Sequence, residues 1–353
     1  MHRTKTKKII VKNIQIGNQN KVIIQSMTNT KTSDIFKTIK QINELEKAGC
    51  QIVRLAILNK QDAYSIKEIS NNTNIPLVAD IHFDIELALI CVDMGINKIR
   101  INPGNINDYD KLKLLINKCK KNKIPIRIGI NSGSLEKEIL KKYQHPTVEA
   151  MIESASYHVK LLEELNFFDI CLSFKSSDVL LTINTYLKAS TIFNYPLHIG
   201  LTEAGTFNSS SIRSTAALAP LLYNGIGDTI RISVSSEPIK ELIIVKQLLN
   251  SFNLIDNVPT LISCPTCGRI QYDMIPIVEE IETYLTNINA KITVAIMGCP
   301  VNGPGEAASA DIGIAGGKKF GSLFKKGKHI KNIPVDNLVE ELKKEINLMI
   351  KNN

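Results

Sequence analysis

With 353 residues, 44% of them hydrophobic, few aromatics and no Trp, the chain has an ordinary globular composition and is long enough for a large domain plus a smaller one. Its net charge of +9 invites a nucleic-acid reading, but the lysines are scattered among Asn and Ile, with no concentrated basic arm and no aromatic RNA-binding motif, so a small polyanion is the better partner. No run approaches the roughly 20 apolar residues of a membrane span, and the lysine-rich start lacks an apolar stretch resembling a signal peptide, so a cytoplasmic protein that binds no membrane is expected.

From residue 22 onward, short β-branched runs alternate with amphipathic stretches, the rhythm of a parallel α/β fold. The first run covers residues 22–28. A helix follows from Ser33, read as its N-cap, with Ile35, Ile39, Ile42 and Leu45 on one face and Gly49 as its stop. Further runs cover residues 52–57, 77–82, 98–102, 125–131, 168–175, 196–202 and 229–233, separated by helical stretches such as 85–94 and 147–165. Eight such runs over about 230 residues predict a (β/α)8 TIM barrel. A doubly wound sheet is the plainer alternative, but it leaves unexplained why every run ends in polar residues.

In such a barrel the C-terminal strand ends and the loops after them form the active face. Here they supply Arg54, Asp80, His82, Arg100, Asn102, Arg127, Asn131, Lys175, Thr202, Glu203, Arg231 and Ser233. Four Arg and one Lys cannot be buried unpaired in apolar strands without a penalty of several kcal/mol. Any one Arg alone reads as a rim salt bridge; five cations on separate strand ends favour a phosphate or diphosphate site. His82 reads equally as a satisfied core histidine or, beside Asp80, as a group that positions substrate or solvent. His2, His145, His158, His198 and His329 have no comparable setting. Glu203 is either a structural partner of one Arg or a general acid or base. Ser176-Ser177-Asp178 reads as the cap of the next helix.

Around residues 253–260 the pattern changes to a linker, which divides the chain into a substrate-binding barrel, residues 1–255, and a small α+β domain, residues 256–353. The second domain is expected to hold a helix near 276–286, strands at 292–297, 311–317 and 320–325, and a last amphipathic helix near 335–350. Seven Cys, an odd number, do not form a disulfide framework. Cys50, Cys91, Cys119 and Cys171 fall in or beside regular elements and read as core residues.

The remaining three lie in Cys264-Pro265-Thr266-Cys267-Gly268 and in Gly298-Cys299-Pro300-Val301-Asn302-Gly303-Pro304-Gly305-Glu306. Cys264 and Cys267 are spaced for one metal centre, Cys299 is a third ligand, and the glycines let backbone N–H groups face cluster sulfurs. The pattern fits a 4Fe-4S cluster with Glu306, a hard and displaceable carboxylate, on the fourth iron. An exchangeable iron points to catalysis rather than plain electron transfer. A structural zinc site and a thiol redox pair are the plainer readings of these cysteines.

The chain resembles the bacterial 4-hydroxy-3-methylbut-2-en-1-yl diphosphate synthases, iron-sulfur oxidoreductases of the methylerythritol phosphate route to isoprenoids, over nearly its whole length. The resemblance rests on Gln25-Ser26-Met27-Thr28, Val53-Arg54, Ala79-Asp80-Ile81-His82, Arg100-Ile101-Asn102-Pro103-Gly104-Asn105, Gly129-Ile130-Asn131, Gly200-Leu201-Thr202-Glu203-Ala204-Gly205, Gly225-Ile226-Gly227-Asp228-Thr229-Ile230-Arg231 and both cysteine motifs. Ser132 stands where Ala is expected, and Phe174 and Ser176 flank Lys175 where smaller residues are usual; none of these removes a charge or a ligand. There is no room for the extra domain of plant-type members, so the short two-domain form is expected.

The resemblance implies a 4Fe-4S cluster on Cys264, Cys267, Cys299 and Glu306. It implies 2-C-methyl-D-erythritol 2,4-cyclodiphosphate as substrate, its diphosphate among Arg54, Arg100, Arg127, Lys175 and Arg231, with Glu203 as candidate proton donor. It also implies flavodoxin or ferredoxin as electron source and a head-to-tail homodimer whose active sites are shared between chains. The competing reading is a metal-independent phosphate-handling transferase of the pterin-synthase type with a structural zinc domain, which would use the cations but leave the C-terminal motif unexplained.

Overall fold

The computed structural model describes residues 2–82, 84–101, 109–299, 305 and 309–351, and these divide between two compact units, Met1–Phe252 and Asn253–Asn353. The first unit opens with a hairpin of β1 (Ile9–Val11) and β2 (Ile14–Ile16), paired antiparallel with Ile9 opposite Ile16. Lys12 takes a left-handed φ of 56° at its two-residue turn. Ile9, Val11 and Ile16 pack with Ile23, Ile52, Val78 and Cys171, so the hairpin closes the N-terminal end of the barrel with aliphatic side chains.

The barrel alternates strands and helices. In order these are β3 (Ile23–Met27), α1 (Ile35–Lys47), β4 (Ile52–Ala56), α2 (Lys60–Asn71), β5 (Leu77–Ile81), α3 (Ile85–Asp93), β6 (Lys98–Ile101), α4 (Tyr109–Asn122) and β7 (Ile126–Asn131). Then come α5 (Lys137–Tyr143), α6 (Val148–Glu164), β8 (Ile170–Lys175), α7 (Val179–Ile192), β9 (His198–Ile199), α8 (Phe207–Tyr223), β10 (Thr229–Ile230) and α9 (Ile239–Ser251). The eight parallel strands β3–β10 are ordered β8-β7-β6-β5-β4-β3-β10-β9. A parallel bridge between Leu172 and Leu197, with Leu172 N–H donating to Pro196 C=O at 2.9 Å, joins the two ends of the sheet. The expected (β/α)8 architecture is therefore present.

Local signals explain most boundaries. Gly49 and Gly95 follow α1 and α3 with φ of +90° and +87°, the left-handed conformation that ends a helix most easily at glycine. Asp178 caps α7 by accepting from Leu181 N–H at 2.7 Å. The cap of α1 is Asp34 rather than the expected Ser33: the Asp34 carboxylate accepts from Lys37 N–H, while Ser33 N–H is held by Asp62. Both residues are competent caps, and the tertiary bond to Asp62 draws Ser33 away.

The second unit is a five-stranded sheet ordered β11 (Thr260–Ser263), β12 (Thr293–Met297), β13 (Ile312–Ala315), β14 (Phe320–Lys325) and β15 (Lys328–Pro334). The first three strands are parallel and the last two antiparallel. Helices α10 (Ile275–Leu285) and α11 (Leu338–Lys351) cover it, packing Ile281, Leu285, Leu338, Leu342 and Ile346 onto Val294, Ile296, Ile312, Ile314 and Leu323. No described helix is long and apolar enough to cross a membrane.

Candidate active site

Side chains alternate along a strand, and strands in register share the alternation, so the pairing identifies which residues face the barrel interior. Met27 pairs with Arg54, Ala56 with Asp80, Asp80 with Arg100, Arg100 with Arg127, and Asn131 with Lys175. Thr229 pairs with His198 one strand further round. Arg54, Asp80, Arg100, Arg127 and Lys175 are all buried, and Arg231 is nearly so. The strands thus gather five of the predicted cations with Asp80 into one interior.

Asp80 is the hub of one side. Its Oδ1 accepts from Arg100 Nη1 at 3.0 Å, and its Oδ2 lies 3.5 Å from Arg54 Nε and 3.6 Å from His82 Nε2. Arg100 Nη1 also donates to a ring nitrogen of the half-buried His82 at 2.7 Å. Burial opposes ionisation of Asp80, but Arg54, the His82 hydrogen bond and Arg100 overturn it and hold the carboxyl well below the usual carboxylate range. Arg54 also donates to Met27 Sδ at 3.0 and 2.9 Å. On the other side Arg231 is clamped by Glu241, at 2.7 Å from Nη2 and 3.2 Å from Nε, and Glu241 accepts from Ser26 Oγ at 2.7 Å.

Among the described residues two carboxylates therefore face six cations in this interior, because Lys98, not among the expected site residues, is fully buried on β6 two residues before Arg100. Among the described residues, Lys98 Nζ, Arg100 Nε, Arg127 Nε and Nη1, and both amide atoms of Gln25 have no hydrogen-bond partner. Burial, reinforced by Arg100, lowers the Arg127 guanidinium to about 10, still protonated at neutral pH. Burial and then Arg54, Arg231, Arg127 and Arg100 push the Lys175 ammonium well below its ordinary value.

His198, expected to have no setting comparable to that of His82, is completely buried in this interior. Its Nδ1 lies 2.7 Å from Thr229 Oγ1 and its Nε2 has no partner. Burial, then Arg127, Lys175 and Lys98, hold its imidazole well below the ordinary histidine value, so it is neutral. Gly129 makes room for a cation, since a Cβ there would stand 2.7 Å from Arg100 Nε, and Gly200 lets the next strand approach, since a Cβ there would stand 2.7 Å from the backbone C=O of Arg231.

The remaining predicted residues sit on loops around this mouth. Glu203 is exposed after β9 and holds a left-handed φ of 53°, a conformation that costs a non-glycine residue energy and often marks a functional turn. Arg213 donates to Glu203 C=O at 3.1 Å and to Ser177 C=O at 2.6 Å, and Thr202 N–H donates to Ser176 C=O at 3.2 Å, tying the loops after β8 and β9 together. Ser233 C=O accepts from Ser210 Oγ at 2.8 Å, and Asn131 ends β7 half-buried. Asn102 lies outside the described residues.

In the second unit Cys264 follows β11 directly and Cys299 follows β12 by two residues; these strands are parallel neighbours, with Ser263 opposite Ile296. Gly298 N–H donates to Cys264 Sγ at 3.2 Å, and a Cβ on Gly298 would stand 2.7 Å from Met274 Sδ. Cys264 and Cys299 are half-buried and Cys267 is exposed. Among the described residues no three His, Cys, Asp or Glu side chains stand together as a metal site, and Glu306 lies outside those residues. The donor chemistry nonetheless fits an iron-sulfur group: soft thiols at one sheet end, with a backbone N–H already aimed at a sulfur.

The family model for the GcpE TIM-barrel domain matches residues 6–246, and that for the GcpE protein C-terminal domain matches residues 260–348. The chain is 54% identical over 346 residues to the 4-hydroxy-3-methylbut-2-en-1-yl diphosphate synthase (flavodoxin) of Geobacillus thermodenitrificans, covering 98% of this chain and 92% of that protein. It is 52% identical over 348 residues to the protein of the same name from Bacillus cytotoxicus, covering 99% and 95%. Among solved structures, dihydropteroate synthase from Stenotrophomonas maltophilia matches with a TM-score of 0.51 and 11% identity over 70% of this chain and 97% of that one, a likeness of fold alone.

Proposed function

The chain belongs to the GcpE family, and from that premise we propose that it makes 4-hydroxy-3-methylbut-2-en-1-yl diphosphate by reductive ring opening and dehydroxylation of 2-C-methyl-D-erythritol 2,4-cyclodiphosphate. It acts as an oxidoreductase of the methylerythritol phosphate pathway, and flavodoxin, which the names of its relatives print, is its electron donor. The observation that carries this reading is that, among the described residues, buried cations outnumber carboxylates in the barrel interior, with donors of Lys98, Arg100 and Arg127 unpaired. A fixed positive interior of this kind suits a diphosphate.

Arg54, Arg100, Arg127, Lys175 and Arg231 hold the diphosphate and the negative charge that grows on it as the carbon–oxygen bond of the ring breaks. Asp80 keeps Arg54 and Arg100 aimed and, with His82, Asn102, Asn131, Thr202 and Ser233, orients the carbon skeleton. Glu203 donates the proton with which the departing hydroxyl leaves as water. Cys264, Cys267, Cys299 and Glu306 would hold a 4Fe-4S cluster, which when bound supplies single electrons and a Lewis-acidic iron. The reading extends to a cytoplasmic head-to-tail homodimer in which each active site draws on both chains.

The test is turnover of the cyclodiphosphate by iron-loaded protein with reduced flavodoxin, followed by phosphorus NMR. A linear allylic diphosphate is the expected product; unchanged cyclodiphosphate under conditions where the donor is oxidised would overturn the reading.

A further inference from the structure

Electrons must enter the second unit near its thiols, and the sheet topology shows which surface lies there. β11, β12 and β13 run parallel, so Ser263, Met297 and Ala315 finish at one end; β14 is antiparallel and starts at that end, with Ala315 opposite Ser322. The turn of residues 316–319 therefore leaves the sheet beside the thiol loops and is stitched to them. Gly316 N–H and the Tyr272 hydroxyl both donate to Met297 C=O, at 2.8 and 3.1 Å, and Gln271 N–H donates to Gly298 C=O at 3.0 Å. A Cβ on Gly316 would overlap the Tyr272 ring, and one on Gly317 would stand 3.8 Å from Gln271 Oε1.

This end carries uncompensated positive charge. Arg269, Lys318 and Lys319 are exposed and have no salt-bridge partner among the described residues, against two described carboxylates at this end, the exposed Asp273 and the exposed Asp336, which follows the Val335 whose N–H donates to Lys319 C=O at 3.2 Å. Elsewhere on the same sheet Lys325 pairs with Glu345, and Lys331 with Glu341 and Glu345, while Lys326 and Lys328 at the opposite end of the hairpin have no salt-bridge partner among the described residues. Phe320 stands next to Lys319 with 55% of its surface exposed, although it is one of only ten Phe in the chain. An exposed aromatic at the same sheet end as exposed cations in excess of carboxylates has the make-up of a docking surface for an acidic protein.

We propose that Arg269, Lys318, Lys319 and Phe320 form the surface on which reduced flavodoxin docks. The proposal rests on the function given above. Phe320 supplies the apolar centre, and the three cations steer and align the carrier against the loops that bear Cys264, Cys267 and Cys299. Each productive encounter passes one electron, so two encounters oxidise the donor by the two electrons that, with one proton, open the ring and release water.

The test compares two reductants at low ionic strength on the iron-loaded full chain, reduced flavodoxin and dithionite-reduced methyl viologen, which needs no docking surface. The variant Lys318→Glu/Lys319→Glu is set against Lys326→Glu/Lys328→Glu, which makes the same charge change at exposed residues of the opposite end of the hairpin. The first variant is expected to raise the KM for flavodoxin about tenfold, an effect that shrinks with added salt, and to leave viologen-driven turnover unchanged. The second is expected to change neither by more than about twofold. Phe320→Ser is expected to raise the flavodoxin KM with little salt dependence.

An unchanged flavodoxin KM in Lys318→Glu/Lys319→Glu would overturn the proposal, as would an equal rise in both double variants, which would make net charge alone responsible. Equal loss with both reductants would assign the patch to a second copy of the chain instead, and would also overturn it. If the unaltered chain yields no product with either reductant, the function itself fails, and the docking proposal with it.

Discussion

The barrel interior and the thiol end of the second unit solve opposite problems. In the barrel the functional groups sit on strands, locked by register and buried, and the structure holds six like charges together with two carboxylates between them. In the second unit the three candidate thiols sit on loops beyond the strand ends, half-buried or exposed, and Gly298 N–H donates to Cys264 Sγ. The barrel stores electrostatic strain to receive an anion; the thiol loops are donors whose arrangement is coupled to what they bind. Binding of the polyanion and handling of electrons should therefore be separable by mutation.

The largest effect is expected from Cys299→Ser. It should lose bound iron and at least about a hundredfold in turnover, while isothermal titration finds cyclodiphosphate affinity within about twofold of the unaltered chain. Glu203→Gln should lower kcat by about 10²- to 10⁴-fold with iron content and substrate affinity preserved, and full activity would remove Glu203 from the reaction. Because Glu203 is exposed, its loss should not change the melting temperature by more than a degree or two.

Arg127→Met sharpens the contrast from the barrel side. One lost charge-assisted contact should weaken substrate binding about 10- to 100-fold. The same change removes a buried guanidinium with two unpaired donors, so the ligand-free protein should melt at a higher temperature than the unaltered chain. A lower melting temperature would show that Arg127 has a structural partner.

The smallest effect concerns His198. Its folded-state pKa lies well below the unfolded value, so on acidification through about 6.5 the unfolded chain takes up a proton that the folded chain refuses. Stability should then fall with decreasing pH below about 6.5, by at most about 1.4 kcal/mol per pH unit from this group. His198→Gln should flatten that slope in urea titrations, and an unaltered slope would assign it to other residues.

The barrel was legible in the sequence because eight apolar runs end in charged residues, a pattern that only a shared mouth explains. That signal belongs to the strand ends, and groups deeper in the same interior do not stand out by it. Lys98 stands two residues before Arg100 and His198 on the register of Thr229, so extending the inward alternation back along each strand would have found both. Glu241 could not be found that way: it lies on α9 and reaches Arg231 only through the folding of the chain. The hairpin that closes the barrel had a readable signal, alternation on both sides of Lys12-Asn13, in a segment too short to stand out beside the longer runs.

The most direct test of the central claim is a cyclodiphosphate titration, by calorimetry, of two variants side by side, Arg127→Met and Cys299→Ser. The account predicts that Cys299→Ser binds as the unaltered chain does, without iron, and that Arg127→Met keeps its iron but binds at least tenfold more weakly. Tight binding by Arg127→Met together with lost binding by Cys299→Ser would contradict it and move the anion site from the barrel to the thiol loops.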